Sequence, residues 1–337
     1  MSEDYIWDGS GHADPEIKRL ETLLVRFGHR GAAFEFPAVA SERRAIRWRV
    51  WVPSLAAAAI VVIFAAIWLV PRLFPDPRWE IVGVEGAAKI GDSAAQTGAR
   101  LAAGKWIETG DAARITLQVG GLGRIEVGPG TRMYLLETLR QHEEAVLEHG
   151  TIHAEVNAPP YVFLVRTPSA YALDMGCAYT LHVNPDGSGI LEVTEGWIQF
   201  QHGILQSMVP AGADAEMRPG FGPGAPYFAD ASPDFRRALE IVNFDLNDSQ
   251  ARSAALTTVL AEARSRDAFT LLNLLHRVAP EDRGRLYDRL AALLPPPPGV
   301  TREDAIEGNW LAFDPMWDEL GIGHPKKGTK SPPRIEG

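Results

Sequence analysis

The sequence predicts a mainly β domain, followed by an all-α region and preceded by one membrane-spanning helix. Three observations carry this reading. No charged residue occurs between Arg49 and Arg72. From about residue 78 to 228, short β-type runs alternate with turns rich in Gly, Pro and Asp. After Ser232 the apolar residues recur at helical spacing.

The uncharged run, residues 50–71, reads VWVPSLAAAAIVVIFAAIWLVP. About 20 apolar residues suffice to cross the roughly 30 Å hydrocarbon layer of a bilayer. Pro53 lies near the start, where a helix tolerates it. Trp48, Trp51 and Trp68 stand where amphipathic rings meet headgroups. Arg43, Arg44, Arg47 and Arg49 precede the run, whereas Arg72 and Arg78 after it are diluted by Asp76 and Glu80. The positive-inside rule then places the N-terminus in the cytoplasm and the bulk of the chain on the far side of the membrane. The run begins too far from Met1 for a signal peptide.

Residues 1–49 are too few for an enzyme domain. They carry one amphipathic helix: Asp14 as N-cap, Pro15 at the first helical position, and Glu16 at the positive end of the dipole. Ile17, Leu20, Leu24 and Phe27 share one face, and Gly28 ends the pattern. Such a helix is marginal alone in water. Its stripe needs a cover: Tyr5, Ile6 and Trp7, another protein, or the membrane surface.

In residues 78–228 the runs ARITLQV, GRIEV, YVFLVRT, YTLHV, GILEV and GWIQF are separated by turns such as GGLG, VGPG and NPDGSG. Many short strands with regular turns predict a sandwich, barrel or solenoid. Gly104, Gly150 and Gly196 recur at an even interval in LAAGKWI, LEHGTIH and VTEGWIQ. A fixed period suggests stacked or duplicated β units, with Trp106 and Trp197 as core markers. This domain is expected to fold alone.

The ordered set of these motifs resembles the FecR domain. The opening runs from Gly104 to Leu117 (GKWIETGDAARITL), the centre from Thr167 to Gly176 (TPSAYALDMG), and the close from Val193 to Gly196. The stretch YIWDGSGHADPEIKRLETLL is similar to the leader of one group of FecR-domain proteins, typically partnered with an extracytoplasmic-function sigma factor. The resemblance covers residues 1–30 and about 80–200. It implies a signal-transducing, anti-sigma-type regulator. Its exported β domain would sense a signal, and its cytoplasmic segment would control transcription through a sigma factor. The surface expected to meet that factor is Tyr5, Trp7, Ile17, Leu20, Leu24 and Phe27. A cell-envelope binding or structural module, merely anchored by its span, is the alternative.

The region 232–321 departs from the iron-uptake members of that family by reading as helical. Ser232 caps a helix with Pro233 at its first position and Phe235, Leu239 and Val242 as its stripe. Later stripes are Leu256, Val259, Leu260 and Ala263, then Leu271, Leu274, Leu275 and Val278, then Leu286, Leu290, Leu293 and Leu294. Thr301-x-x-Asp304 reads as a capping pattern. A bundle or helical repeat is expected, serving either packing or contact with an extracytoplasmic protein. Residues 322–337 read as a disordered tail.

The chain has 337 residues and a net charge of -10, with no offsetting basic stripe, which argues against nucleic-acid binding. Cys177 is the sole cysteine, so no intrachain disulfide can form. It is expected to pack as a small buried residue. GxSxG, HExxH, a Walker loop and a CxxC pair are all missing, and no enzyme or cofactor is expected. His142, His149 and His153 lack a spaced carboxylate or thiol to complete a metal set. They read as exposed strand and loop histidines, and Glu143 and Glu144 as a solvated turn.

Overall fold

The computed structural model describes residues 15–25, 79–139 and 142–322. The chain divides into two units, residues 1–67 and 68–337. In the first, the described element is helix α1 (Pro15–Leu24). Among the described residues no helix is long and apolar enough to cross a membrane. The expected span at 50–71 lies outside them, as does nearly all of the expected tail.

The second unit opens with two β-sheets. In the first sheet lie β1 (Trp79–Glu85), β4 (Arg100–Leu101), β6 (Arg114–Val119) and β7 (Gly123–Val127). They are joined by β12 (Cys177–Val183), β13 (Gly189–Glu195) and β16 (Ala213–Arg218). The second sheet holds β2 (Ala88–Ile90), β3 (Ser93–Ala94), β5 (Lys105–Thr109), β8 (Arg132–Leu139) and β10 (Phe163–Arg166). It continues through β11 (Tyr171–Asp174) and β14 (Trp197–His202) to β15 (Leu205–Pro210). The long strand β9 (His142–Val156) belongs to both sheets. Its first half pairs with β8 and β10, and its second half with β7 and β12. Neighbouring strands are antiparallel except β9 and β10, which run parallel.

Alternation explains the strands. In β6, Ile115, Leu117 and Val119 turn inward between partly exposed Thr116 and Gln118. In β12, Cys177, Tyr179, Leu181 and Val183 do the same. Ile115, Leu117, Ile125 and Leu181 from one sheet share a single core with Ile107, Met133, Phe163 and Phe200 from the other. A shared core between two facing sheets makes this a sandwich, not a solenoid.

The evenly spaced glycines therefore do not mark stacked units. Each sits where the chain changes sheet: Gly104 between β4 and β5, Gly150 within β9, and Gly196 between β13 and β14. At Gly150 the φ angle is +103°, and an added Cβ would lie 2.3 Å from Thr131 Oγ1. At Gly196 it would lie 2.5 Å from the Gly176 carbonyl oxygen. Both positions need the missing side chain for conformation and for space.

The tryptophans expected as core markers are only half-buried. Trp106 lies between Tyr134 and the Arg132 guanidinium, which stands 4.0 Å from its ring centre. Trp197 lies on the outer face of β14. Trp79 is the fully buried indole of this sandwich, beside Phe163. Position 106 falls on the outward phase of β5, whose inward residues are Ile107 and Thr109.

The helical region comprises α2 (Pro233–Phe244), α3 (Ser249–Glu262), α4 (Ala268–Leu274), α5 (Pro280–Leu293), α6 (Arg302–Glu307) and α7 (Asp314–Glu319). Ser232 caps α2 as its sequence indicates, accepting from the Phe235 N–H at 3.0 Å. Thr301 and Asp304 form the capping box of α6. The stripes Phe235, Leu239, Val242, Leu256, Val259, Leu271, Leu286 and Leu290 build a second core.

This region docks on the sandwich. Phe269 and Ile322 belong to the sandwich core, and Trp317 and Leu320 pack against both cores. Residue 322, expected to open the tail, is thus a packed residue. The free edge of β15 is capped by side chains. Asn273 Oδ1 accepts from the Met208 N–H at 2.8 Å, and its Nδ2 donates to the Met208 carbonyl at 3.3 Å. Arg277 donates to the carbonyls of Gln206 and Pro223 at 2.9 and 2.7 Å. An uncovered strand edge invites pairing with another chain, and these contacts close it.

Candidate functional site

The surface expected to meet a partner falls partly within the described residues. Pro15 opens α1, and Glu16 lies in its first turn. Ile17 is half-buried, Leu20 is 58% exposed and Leu24 is 61% exposed. No residue of the helix is buried. Spacings of three and four bring Ile17, Leu20 and Leu24 onto one face. Leu23, 64% exposed, widens that face beside Leu20. Its i+3 relation to Leu20 made it legible in the sequence, although the stripe drawn there omits it. Tyr5, Trp7 and Phe27 lie outside the described residues.

Glu143 and Glu144 are not a solvated turn. Each is only 3% exposed, because the strand continues through them and pairs with β8 on one side and β10 on the other. Glu143 accepts a hydrogen bond from Trp79 Nε1 at 2.9 Å. Burial outweighs that bond and the neighbouring His142, and pushes its carboxyl up to about 7. Glu144 pairs with Arg166 through one oxygen and meets His142 Nε2 at 3.1 Å through the other. Glu137, directly opposite Glu144 on β8, lies 3.5 Å from the same nitrogen. Carboxylates whose absence told against a histidine-based metal set are therefore present, Glu144 two residues along the same strand and Glu137 across from it. His149 faces Arg132 in register. His153 meets Thr180 Oγ1 at 3.1 Å and Glu155 at 3.5 Å.

Cys177 is buried as expected. Its thiol donates to Asp174 Oδ2 at 3.0 Å. Burial, then the Asp174 charge, pushes the thiol far above its ordinary value and disfavours the thiolate. Burial likewise raises Asp174 to about 6, against hydrogen bonds from Cys177 and the Gly176 N–H.

A cleft of about 340 Å³ opens between β14–β15 and the helices. Trp197, Trp310 and Trp317 line it with Tyr161, Gln199 and His276. Tyr161 has φ +65°, the one positive value at a non-glycine among the described residues. Such backbone costs of order 1–3 kcal/mol and gathers at functional positions. Burial, then Arg277, pulls His276 down to about 4, so the imidazole lining the cleft is neutral. The sequence reading missed this cleft, since its walls come from segments far apart in the chain.

No protein-family profile matches the chain, and no curated protein matches it. Two crystal structures of a candidate anti-sigma factor from Parabacteroides distasonis are similar to part of it. One is 16% identical, covers 40% of this chain and 63% of its own, and has a TM-score of 0.33. The other is 17% identical with 40% and 62% coverage and the same TM-score. The chain thus spans under two thirds of the structures it matches.

Proposed function

We propose that this protein is a membrane-anchored signal-transducing regulator that controls an extracytoplasmic-function sigma factor through its N-terminal segment. The observation that carries the reading is α1, which buries none of its residues and presents Leu20, Leu23 and Leu24 to solvent. A short helix with such a face gains stability by docking it against an apolar surface, and a groove on a partner protein is one such cover. The FecR-like motif order and the uncharged run at 50–71 support an anchor and a domain across the membrane. Glu16 and Glu21 weaken attraction to anionic lipid and favour a protein partner.

Two measurements test it. Alkaline phosphatase should be active when fused after Gly220 and inactive when fused after Pro37; the reverse would falsify the topology. The full chain in detergent should capture its co-encoded sigma factor, and Leu20→Asp with Leu24→Asp should abolish capture. Absence of capture by wild type, with binding of the 1–49 segment to anionic vesicles, removes the regulatory reading. The aromatic cleft favours a second reading, an anchored binding module of the cell envelope, which that outcome would leave standing.

A further inference from the structure

We propose that Glu137, His142 and Glu144 form a binding site for a divalent transition metal, with Zn²⁺ the best fit. The inference is independent of any sigma-factor partner. The three residues share one face of the β8–β9 ribbon. His142 and Glu144 are two apart on one strand, and Glu137 stands directly across from Glu144. Their donor atoms all lie within 4.8 Å of one another. His142 Nε2 stands 3.1 Å from Glu144 Oε2 and 3.5 Å from Glu137 Oε2. Ligand bonds of about 2.0–2.1 Å in a tetrahedron place donors roughly 3.3 Å apart, close to the two separations from His142 Nε2 to the carboxylates.

The donor chemistry narrows the ion. One imidazole nitrogen with two carboxylates suits zinc and its first-row neighbours, whereas Ca²⁺ and Mg²⁺ take oxygen ligands throughout. Nε2 aimed between two carboxylates can be satisfied by a proton or by a metal, and the metal would displace the proton. Arg166 holds the other oxygen of Glu144 and leaves Oε2 directed at His142. A partner on the far oxygen of a ligating carboxylate fixes its orientation and offsets its charge. The Glu137 side chain is 46% exposed and that of His142 26% exposed, so water can reach the fourth position. Bound there, the metal would join β8 to β9 at their shared end.

The test uses the untagged full chain in detergent, stripped with EDTA, exchanged into chelator-free buffer and titrated with ZnCl₂ by calorimetry. One equivalent should bind, millimolar Mg²⁺ or Ca²⁺ should not compete, and Glu137→Gln or His142→Ala should weaken binding at least tenfold. These two residues are partly exposed, so the metal-free variants should melt as wild type does. X-ray absorption at the zinc edge of the loaded wild type should read one imidazole with oxygen donors and no sulfur. No saturable one-equivalent binding, equal binding by both variants, or a shell of several imidazoles would overturn the proposal.

Discussion

Helices α1 and α2 are written to the same local recipe and meet opposite fates. Both begin with Pro at the first position and an acidic residue in the first turn, Glu16 and Asp234. Both carry an apolar stripe at spacings of three and four. In α2 the stripe is buried: Phe235, Leu239 and Val242 are each at most 2% exposed, packed with Leu256, Val259 and Leu271. In α1 nothing is buried. Amphipathicity therefore states that a helix needs a cover, and says nothing about what supplies it. For α2 the cover is the rest of its own region. For α1 the proposed cover is a second protein.

The sharpest way to break this comparison is deletion. Removing residues 15–25 should leave the thermal melt of the sandwich and helical region unchanged. Ending the chain after Phe228 removes Phe269 and Ile322 from the sandwich core and uncaps β15. That truncation should lose its cooperative melt and aggregate on a sizing column. A monomeric, cooperatively melting product would show that the sandwich folds alone.

Single substitutions sharpen the contrast. Phe235→Ala should cost about 3–5 kcal/mol, as expected for a buried aromatic. Leu20→Ala should change stability by no more than about 0.5 kcal/mol, as is usual for exposed positions. Chemical denaturation of both variants beside wild type measures the difference, and equal losses would mean that α1 is covered within the chain. Asn273→Leu should cost roughly 1–3 kcal/mol, because it leaves the Met208 N–H and carbonyl unpaired at the strand edge.

A further effect concerns pH. The Asp174 carboxyl is raised from its ordinary 3.8 to about 6, chiefly by burial. The folded state therefore holds its proton to a higher pH than the unfolded chain does. The stability this confers is fully present below about pH 4 and is lost as pH rises through about 6. Asp174→Asn should flatten the melting temperature between those values relative to wild type. A variant profile parallel to wild type would refute the assignment.

Much of the helical region was legible because caps and stripes act over one or two turns. Ser232, Thr301 and Asp304 do in the structure what their sequence spacing indicates. The β runs were legible by alternation, but their assembly was not. The glycine spacing suggested a repeat, whereas Gly150 and Gly196 are corners between sheets. Trp106 and Trp197 suggested a core through their place in the glycine-spaced runs, yet the strand phase turns them outward. Glu143 and Glu144 suggested water through their charge, yet strands on both sides bury them. Of the expected partner surface, only Ile17, Leu20 and Leu24 fall in the described helix.

The sequence by itself determined several strands, β6, β7, β12 and β13 among them, where helices α2, α5 and α6 begin, and that α1 carries an apolar face. Those properties depend on φ preference, capping and side-chain period, all of which act between near neighbours in the chain. Only the tertiary structure decided that Glu137 stands opposite Glu144, that Trp79 meets Glu143, and that Asn273 closes the edge of β15. The last two pairs are separated by 64 and 65 positions. Their contacts arise from strand register and the packing of distant surfaces, which no local pattern encodes.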